Sequence, residues 1–354
     1  MKNTLIILTP GFPKDETDST CIPPQQVFVR AVARNFPQLD IMVLSFHYPY
    51  HRTPYTWHGI PVIPFGGRNK GGISKLFLKK RIREELENIY NGKRVAGILS
   101  FWCGECALTG SRFARAHNSL HYSWILGQDA GKTNKYIRRI KPLEGELIAL
   151  SDFVAKEFER NHGVRPGHTI PPGIDPELFA SSSSGKSIDV LGAGSLIPLK
   201  QFDIFIEVVA ALQKRFPLLK VMLAGKGPEQ DNLHKLIVKN DLQSTIILAG
   251  ELSHADLLQL MQQTKVLLHT SRYEGFGVVC IEALHAGAHV ISFCKPMDRP
   301  IDGWHIAGSK EDMISRATQL LQTDSIQKGS TPFLIDDSAR SMMKLFGYKV
   351  VTTS

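Results

Sequence analysis

Short, almost uniformly apolar runs alternate with amphipathic segments along the whole chain, and no other feature restricts the fold as strongly. Through the first half the order is "TLIILT", "QQVFVRAVARNF", "DIMVLSF", "VAGILSF", "ALTGSRFARAH", "HYSWIL", "LIALS" and "FVAKEFERNH". The apolar runs lack the every-second-residue polarity of a half-solvated strand, so they predict strands buried on both faces. The segments between them suit helices with one apolar side. Parallel strands covered by helices on both faces, a doubly wound α/β domain, satisfy both patterns.

The pattern breaks at "DPELFASSSSGKS", residues 175–187, just after the Pro- and Gly-rich "IPPGID". Four serines and a glycine read as a linker or surface loop. Strand and helix then resume as "IDVLGAG", "FDIFIEVVAALQKRF", "KVMLAG", "DNLHKLIVKN", "TIILAG", "ADLLQLMQQ", "KVLLHTS", "GVVCIEALHAG" and "HVISF". A chain of 354 residues is longer than one core usually sustains. The expected layout is a domain over 1–172, a second over 173–333 and a C-terminal segment over 334–354. Open α/β sheets bind ligands at the carboxyl ends of their strands, so the two domains are expected to face each other across a cleft.

Composition removes several classes of function. The apolar run near the N-terminus is broken by Pro10 and Gly11, too early for a secretory leader or a spanning helix, and the expected location is cytoplasmic. The five cysteines are odd in number. Cys103 and Cys106 form a C-x-x-C, but no second pair or C-x-x-H accompanies them, which favours a structural role over a zinc or redox site. The formal charge of +9 fits anionic partners. One basic stretch, "GGRNKGGISKLFLKKRIREEL" at 66–86, sets Arg68, Lys70, Lys75, Lys79, Lys80, Arg81 and Arg83 around Leu76, Phe77, Leu78 and Ile82. Such a helix can lie on an anionic membrane surface, or it can simply be a solvated face. Nucleic acid is disfavoured, since no recognised binding module accompanies the charge.

The candidate chemistry centres on "SRYEGFGVVCIEALHAGAHVISF", in which seven residues separate Glu274 from Glu282. If Gly275–Gly277 form a turn and a helix follows, Glu274 stands at the helix entrance with Glu282 about two turns on. Carboxylates accept hydrogen bonds from paired hydroxyls, and the turn's amides at a helix N-terminus suit an anion. A helix-capping Glu274 and a solvated Glu282 fit the residues equally well. Lys200, in the loop of "LGAGSLIPLKQFDIFIEVV", is placed to clamp a diphosphate, or is a surface lysine. Gly194, Gly225 and Gly250 close strands, as tight turns require.

In their order, "IPPGIDPELF", "GAGSLIPLKQFD", "VMLAGKGPEQDNL", "IILAGELSHADL" and the Glu274–Glu282 segment resemble a glycosyltransferase of family 4, in the GT-B class. The resemblance covers residues 145–295 well and the first domain loosely. It implies two facing Rossmann-like domains, an N-terminal acceptor side and a C-terminal side that binds a nucleotide-sugar donor. It also implies a last segment that packs back on the first domain. By position, Glu282 would hold the ribose hydroxyls, and Glu274 with the amides of Gly275, Phe276, Gly277 and Val278 the donor sugar and its phosphate. Lys200, beside Gly194 and Ser195, would neutralise the diphosphate, Gly225 would lie near it, and the backbone at Glu251 and Leu252 would receive the base. Gly11, Gln128 and Asp129 would line the first domain's side of the cleft.

Two positions depart from the family pattern. Ser195 stands where relatives usually carry Arg, and Gln128 of "LGQDAG" where they often carry His; Gln donates to a hydroxyl but is no base near neutral pH. The resemblance implies a retaining transferase, with Glu274 and Lys200 nearest the chemistry and a glycan or lipid-linked acceptor. No D-x-D triplet occurs, so no metal or other cofactor is expected beyond the donor itself. A nucleotide-sugar epimerase of the same architecture and a non-catalytic nucleotide-sugar-binding partner protein are the competing readings.

Overall fold

The computed structural model describes residues 2–179, 185–323 and 328–349. The four serines at 181–184 and the last residues of the C-terminal segment lie outside them. The chain divides into two compact units, Met1–Gly173 with Ile335–Ser354, and Ile174–Leu334.

Unit one runs β1 (Asn3–Gly11), α1 (Pro23–Asn35), β2 (Leu39–Tyr48), β3 (Tyr55–Trp57), β4 (Ile60–Pro64), α2 (Gly72–Gly92), β5 (Arg94–Phe101), α3 (Glu105–Ala116), β6 (His121–Ile125), α4 (Ile137–Ile140), β7 (Leu147–Ala149), α5 (Asp152–His162) and β8 (His168–Thr169). Its sheet has the order β3-β4-β2-β1-β5-β6-β7-β8, parallel except where β3 meets β4. The central strand β1 buries Leu5, Ile6, Ile7 and Leu8 completely, as a uniformly apolar strand in a doubly covered sheet should. Ile6 and Leu8 pack with Leu78, Ile82 and Leu86 of α2 and Phe113 of α3. Leu5 and Ile7 point to the other face, by the two-residue period of a strand.

The last helix, α11 (Ile335–Leu345), returns to unit one and packs beside α1. It buries Ala339, Met342 and Met343, and Asp336 accepts from Arg34 and Asn35 at 2.7 Å each. Just beyond it, Phe346 stacks edge-on against Tyr122 at 4.9 Å. Gly97 leaves room for this ring, since a Cβ there would fall 2.6 Å from Phe346.

Unit two runs β9 (Ile188–Ala193), α6 (Phe202–Gln213), β10 (Val221–Ala224), α7 (Gln230–Lys239), β11 (Ile246–Gly250), α8 (His254–Gln262), β12 (Thr264–His269), α9 (Val278–His285), β13 (His289–Ser292), β14 (Trp304–Ile306) and α10 (Lys310–Gln322). Its sheet is parallel throughout, in the order β11-β10-β9-β12-β13-β14. Val190, Leu223, Val266 and Ile291 of the sheet meet Phe205, Ile206 and Val209 of α6 and Met313 of α10 in one core. The stretch read as a polar linker begins as a buried turn. Asp175 is 4% exposed and its side chain caps the turn at Glu177, while Ile174 bridges to Leu334.

Candidate functional site

The strand order of unit two reverses at β9: β10 and β11 lie to one side of it, and β12, β13 and β14 to the other. At such a point the loops leaving adjacent strands run to opposite faces and open a crevice at the carboxyl edge. Lys200 lies on the loop after β9 and Glu274 on the loop after β12.

Hydrogen bonds join these two loops. The Thr270 hydroxyl donates to the Lys200 carbonyl at 2.8 Å, and the Arg272 N–H donates to the Leu199 carbonyl at 3.0 Å. Lys200 ends a short 3-10 turn, and Gln201, in the left-handed region at φ 49°, starts α6. The Lys200 ammonium thereby reaches Oε1 of Glu274 and pairs with it, both side chains being 18% exposed. Ser271 Oγ donates to the same oxygen at 2.9 Å. His269 Nε2 lies 3.2 Å away, within electrostatic reach but without hydrogen-bond alignment. Burial works against the ionised carboxyl of Glu274, yet the His269 imidazole and the Lys200 ammonium outweigh it and hold the pKa down at about 2.

The turn after Glu274 is built on backbone. Gly277 is the N-cap of α9 at φ 85°, and no side chain caps that helix, whose first-turn N–H groups have no acceptor within the helix. Gly275, Phe276 and Gly277 are buried and Val278 is partly exposed. The Phe276 ring packs inward on Trp304 and Phe333, with centroids at 6.2 and 5.5 Å. A ligand at this turn would therefore meet the amide of Phe276, not its side chain.

Glu282 occupies a second locus. Its Oε1 pairs with His254 Nε2 at 2.7 Å, the two side chains being 12% and 16% exposed. Burial disfavours the imidazolium of His254, but the Glu282 carboxylate overrides it and raises the pKa above its ordinary value. His254 opens α8, directly after exposed Glu251 and partly exposed Leu252. The two predicted glutamates thus hold different partners, Glu274 a lysine and Glu282 a histidine.

The strand-closing glycines answer to chain packing. A Cβ on Gly225 would fall 1.9 Å from the Gly194 carbonyl oxygen, and one on Gly227 2.3 Å from that of Leu196. The Gly225 N–H is already committed to the Gly250 carbonyl at 2.8 Å. Gly194 itself takes φ 143° and lets the Lys200 stem lie within 3.8 Å of where its Cβ would be. Ser195 is exposed beside it.

In unit one, Gly11 ends β1 and Gln128 is exposed. Asp129 is buried, and its carboxylate accepts from the N–H groups of Cys103 at 2.6 Å, Leu126 at 3.0 Å and Gly127 at 2.9 Å. It ties the loop after β6 to the loop after β5, and these amides occupy much of its accepting capacity. Sequence reasoning missed His254, His269 and Ser271. The available signals were slight: a histidine opening "HADLLQLMQ" behind a capping serine, and a polar pair closing the apolar strand "TKVLLHTS".

Residues 174–301 match the family model described as glycosyl transferases group 1. That segment contains every residue expected on the donor side. The second unit thus carries a segment similar to glycosyl transferases group 1. Two curated relatives are similar to this chain. The phosphatidylinositol N-acetylglucosaminyltransferase gpi3 subunit of Schizosaccharomyces pombe is 27% identical over 60% of this chain and 47% of its own length. The UDP-N-acetylglucosamine–peptide N-acetylglucosaminyltransferase GtfA subunit of Streptococcus pneumoniae is 33% identical over 36% of this chain and 25% of its own. The chain spans less than half the length of either relative. A solved glycosyltransferase from Rickettsia africae matches all of both chains with a TM-score of 0.71 at 15% identity. At that identity the likeness speaks to the fold, two parallel-sheet α/β domains of the GT-B class.

Proposed function

We propose that the protein is a retaining glycosyltransferase that moves a sugar from a nucleotide-diphosphate donor to a glycan or lipid-linked glycan. The observation that carries this reading is the contact of Lys200 with Glu274 at the strand-order reversal of a group 1 segment. An ammonium suited to a diphosphate and a carboxylate suited to sugar hydroxyls lie side by side, as a ligand joining those two groups requires. The α9 N-terminus adds a positive end for the phosphate, and Glu282, steadied by His254, is available to a ribose diol. The curated relatives named above transfer N-acetylglucosamine, one of them from UDP-N-acetylglucosamine by its name, which makes that nucleotide sugar the first donor to test.

In this reading the acceptor oxygen attacks the anomeric carbon on the face from which the diphosphate departs. The C–O bond to phosphate breaks with its electron pair going to the nucleoside diphosphate, and the acceptor's proton passes to that leaving oxygen. No protein nucleophile takes part. The chain supplies position and charge, Lys200 and the helix N-terminus stabilising the leaving group, and the transfer needs no metal.

The test incubates purified protein with nucleotide sugars, with and without EDTA, and follows sugar transfer and slow donor hydrolysis. Conversion of the donor to a different sugar without transfer would instead indicate an epimerase, and saturable binding without turnover a binding protein. Glu282→Ala is expected to raise the donor KM about 10- to 100-fold, as for loss of a charged hydrogen-bonding group, with a smaller change in kcat. His254→Ala, which frees the Glu282 carboxylate without removing it, is expected to raise the same KM about ten-fold. An unchanged KM in Glu282→Ala would remove that residue from the donor site.

A further inference from the structure

Three large apolar side chains at the start of α2 stand in solvent: Ile73 is 72%, Leu76 66% and Phe77 63% exposed. Their neighbours Leu78, Ile82, Leu86 and Ile89 are buried in the core of unit one, so the exposed set forms a separate, outward face. Exposed apolar side chains grouped in this way mark interaction surfaces.

That face is bordered by cations on both flanks. On one side a groove of about 730 Å³ is lined by Arg52, Arg68, Lys70 and Arg81, with Tyr50 and Phe77 among its other walls and no carboxylate in its lining. On the other side a cavity of about 460 Å³ is lined by Lys79, Lys80, Arg83 and Arg112 over Leu108 and Phe113. Its one acid, Glu87, lies 3.9 Å from Arg83.

The first groove is built to keep positive charges together. Arg68 stacks over the Tyr50 ring at 5.3 Å and Arg81 over Phe65 at 5.6 Å, which fixes the guanidinium planes and leaves their N–H edges for a ligand. The loop beneath is held close to β2. The Gly67 N–H donates to the Phe46 carbonyl at 2.9 Å and the Arg68 N–H to that of His47 at 3.2 Å, and a Cβ on Gly67 would fall 2.6 Å from His47 Nδ1. Burial and the nearby Arg52 charge lower the pKa of Arg81 against the pull of the Glu84 carboxylate. Ser74 of the first turn of α2 also lines the groove, and no side chain caps that helix.

We infer that the outer face of α2 and its flanking groove dock this protein on a bilayer containing anionic phospholipid, with lipid phosphates seated among Arg52, Arg68, Lys70 and Arg81. A soluble phosphate would account for the groove and leave Ile73, Leu76 and Phe77 unexplained. A bilayer accounts for both, because the apolar side chains enter the acyl boundary while the cations meet the headgroups. The inference concerns unit one and stands apart from the donor chemistry of unit two.

Co-sedimentation with vesicles tests it, comparing phosphatidylcholine alone with phosphatidylcholine carrying phosphatidylglycerol, at low and high salt. The full chain is expected to bind the anionic vesicles at least ten-fold more tightly and to lose most of that advantage at high salt. Arg68→Ala/Arg81→Ala should weaken binding about 30-fold, taking about five-fold per surface cation, and Leu76→Ser/Phe77→Ser should weaken it on both vesicle types. Thermal melts and donor hydrolysis without vesicles serve as controls and are expected to be unchanged in both variants. Equal binding to neutral and anionic vesicles, or no binding to either, would overturn the inference. So would a melting temperature raised by inorganic phosphate through Arg68 and Arg81 with no vesicle binding, which would mean a soluble phosphate ligand. Vesicle binding without donor hydrolysis would leave the inference standing and count against the glycosyl-transfer reading instead.

Discussion

Lys200→Ala is expected to lower kcat for sugar transfer about 100- to 1,000-fold, the usual cost of removing one group that stabilises developing charge in a closed site. The side chain is mostly covered, 18% exposed, and ends on Glu274, so the substitution also strips that carboxylate of its cation. Glu274 keeps Ser271 Oγ and the neighbouring His269 imidazole, and its pKa should rise from about 2 toward the ordinary carboxylate range. The sign of the linkage follows. A depressed carboxyl pKa stabilises the fold above the unfolded value and is lost as pH falls through the folded one. The variant should therefore lose stability at neutral pH and unfold with a flatter dependence between about pH 4 and pH 2. Lys200→Arg keeps the charge and should retain more activity than Lys200→Ala. Transfer rates and pH-dependent melts measure both effects, and full activity in Lys200→Ala would end the assignment of this lysine to the diphosphate.

Asp129→Ala is expected to destabilise unit one by about 3 kcal/mol, because three N–H groups, two buried and one partly buried, lose their acceptor at about 1 kcal/mol each. For a chain of this size that corresponds to a fall of roughly 10 °C in the melting temperature of unit one. In the wild type, burial pushes the Asp129 pKa up to about 6, against the pull of the surrounding N–H groups. A raised carboxyl pKa contributes stability that is full below the unfolded value of about 3.9 and fades as pH rises through about 6. The wild-type slope across that window should vanish in Asp129→Asn, which cannot titrate and turns an NH₂ toward a backbone donor. Calorimetry from pH 4 to pH 7 checks both, and an unchanged melting temperature in Asp129→Ala would show that the N–H groups find water as readily as carboxylate.

Much of the architecture was legible in the residues. The run Leu5–Leu8 could satisfy its apolar side chains only inside a doubly covered sheet, and all four are fully buried at the centre of one. The ordered motifs of unit two grouped Lys200 with Glu274 although 74 positions separate them, and the two side chains are in contact. Periodicity was less informative at α2. Leu76, Phe77, Leu78 and Ile82 were grouped as one apolar set, but Leu78 and Ile82 are buried while Leu76 and Phe77 are not. A helical repeat says which residues share a face, and it does not say where the sheet beneath that face comes to an end.

The acid in "LGQDAG" shows the same division at a single residue. The family resemblance implied a place on the first domain's side of the cleft, and the fold turns the Asp129 carboxylate on three amides of its own chain. Glu282 pointed to a ligand, and it meets His254 because α8 and α9 pack side by side. Strand and helix follow from local covalent preference and from the need to hide apolar surface, both of which are written in neighbouring residues. The partner of each charged group is settled by which loops the strand order of a parallel sheet brings together, and that order is a property of the assembled chain.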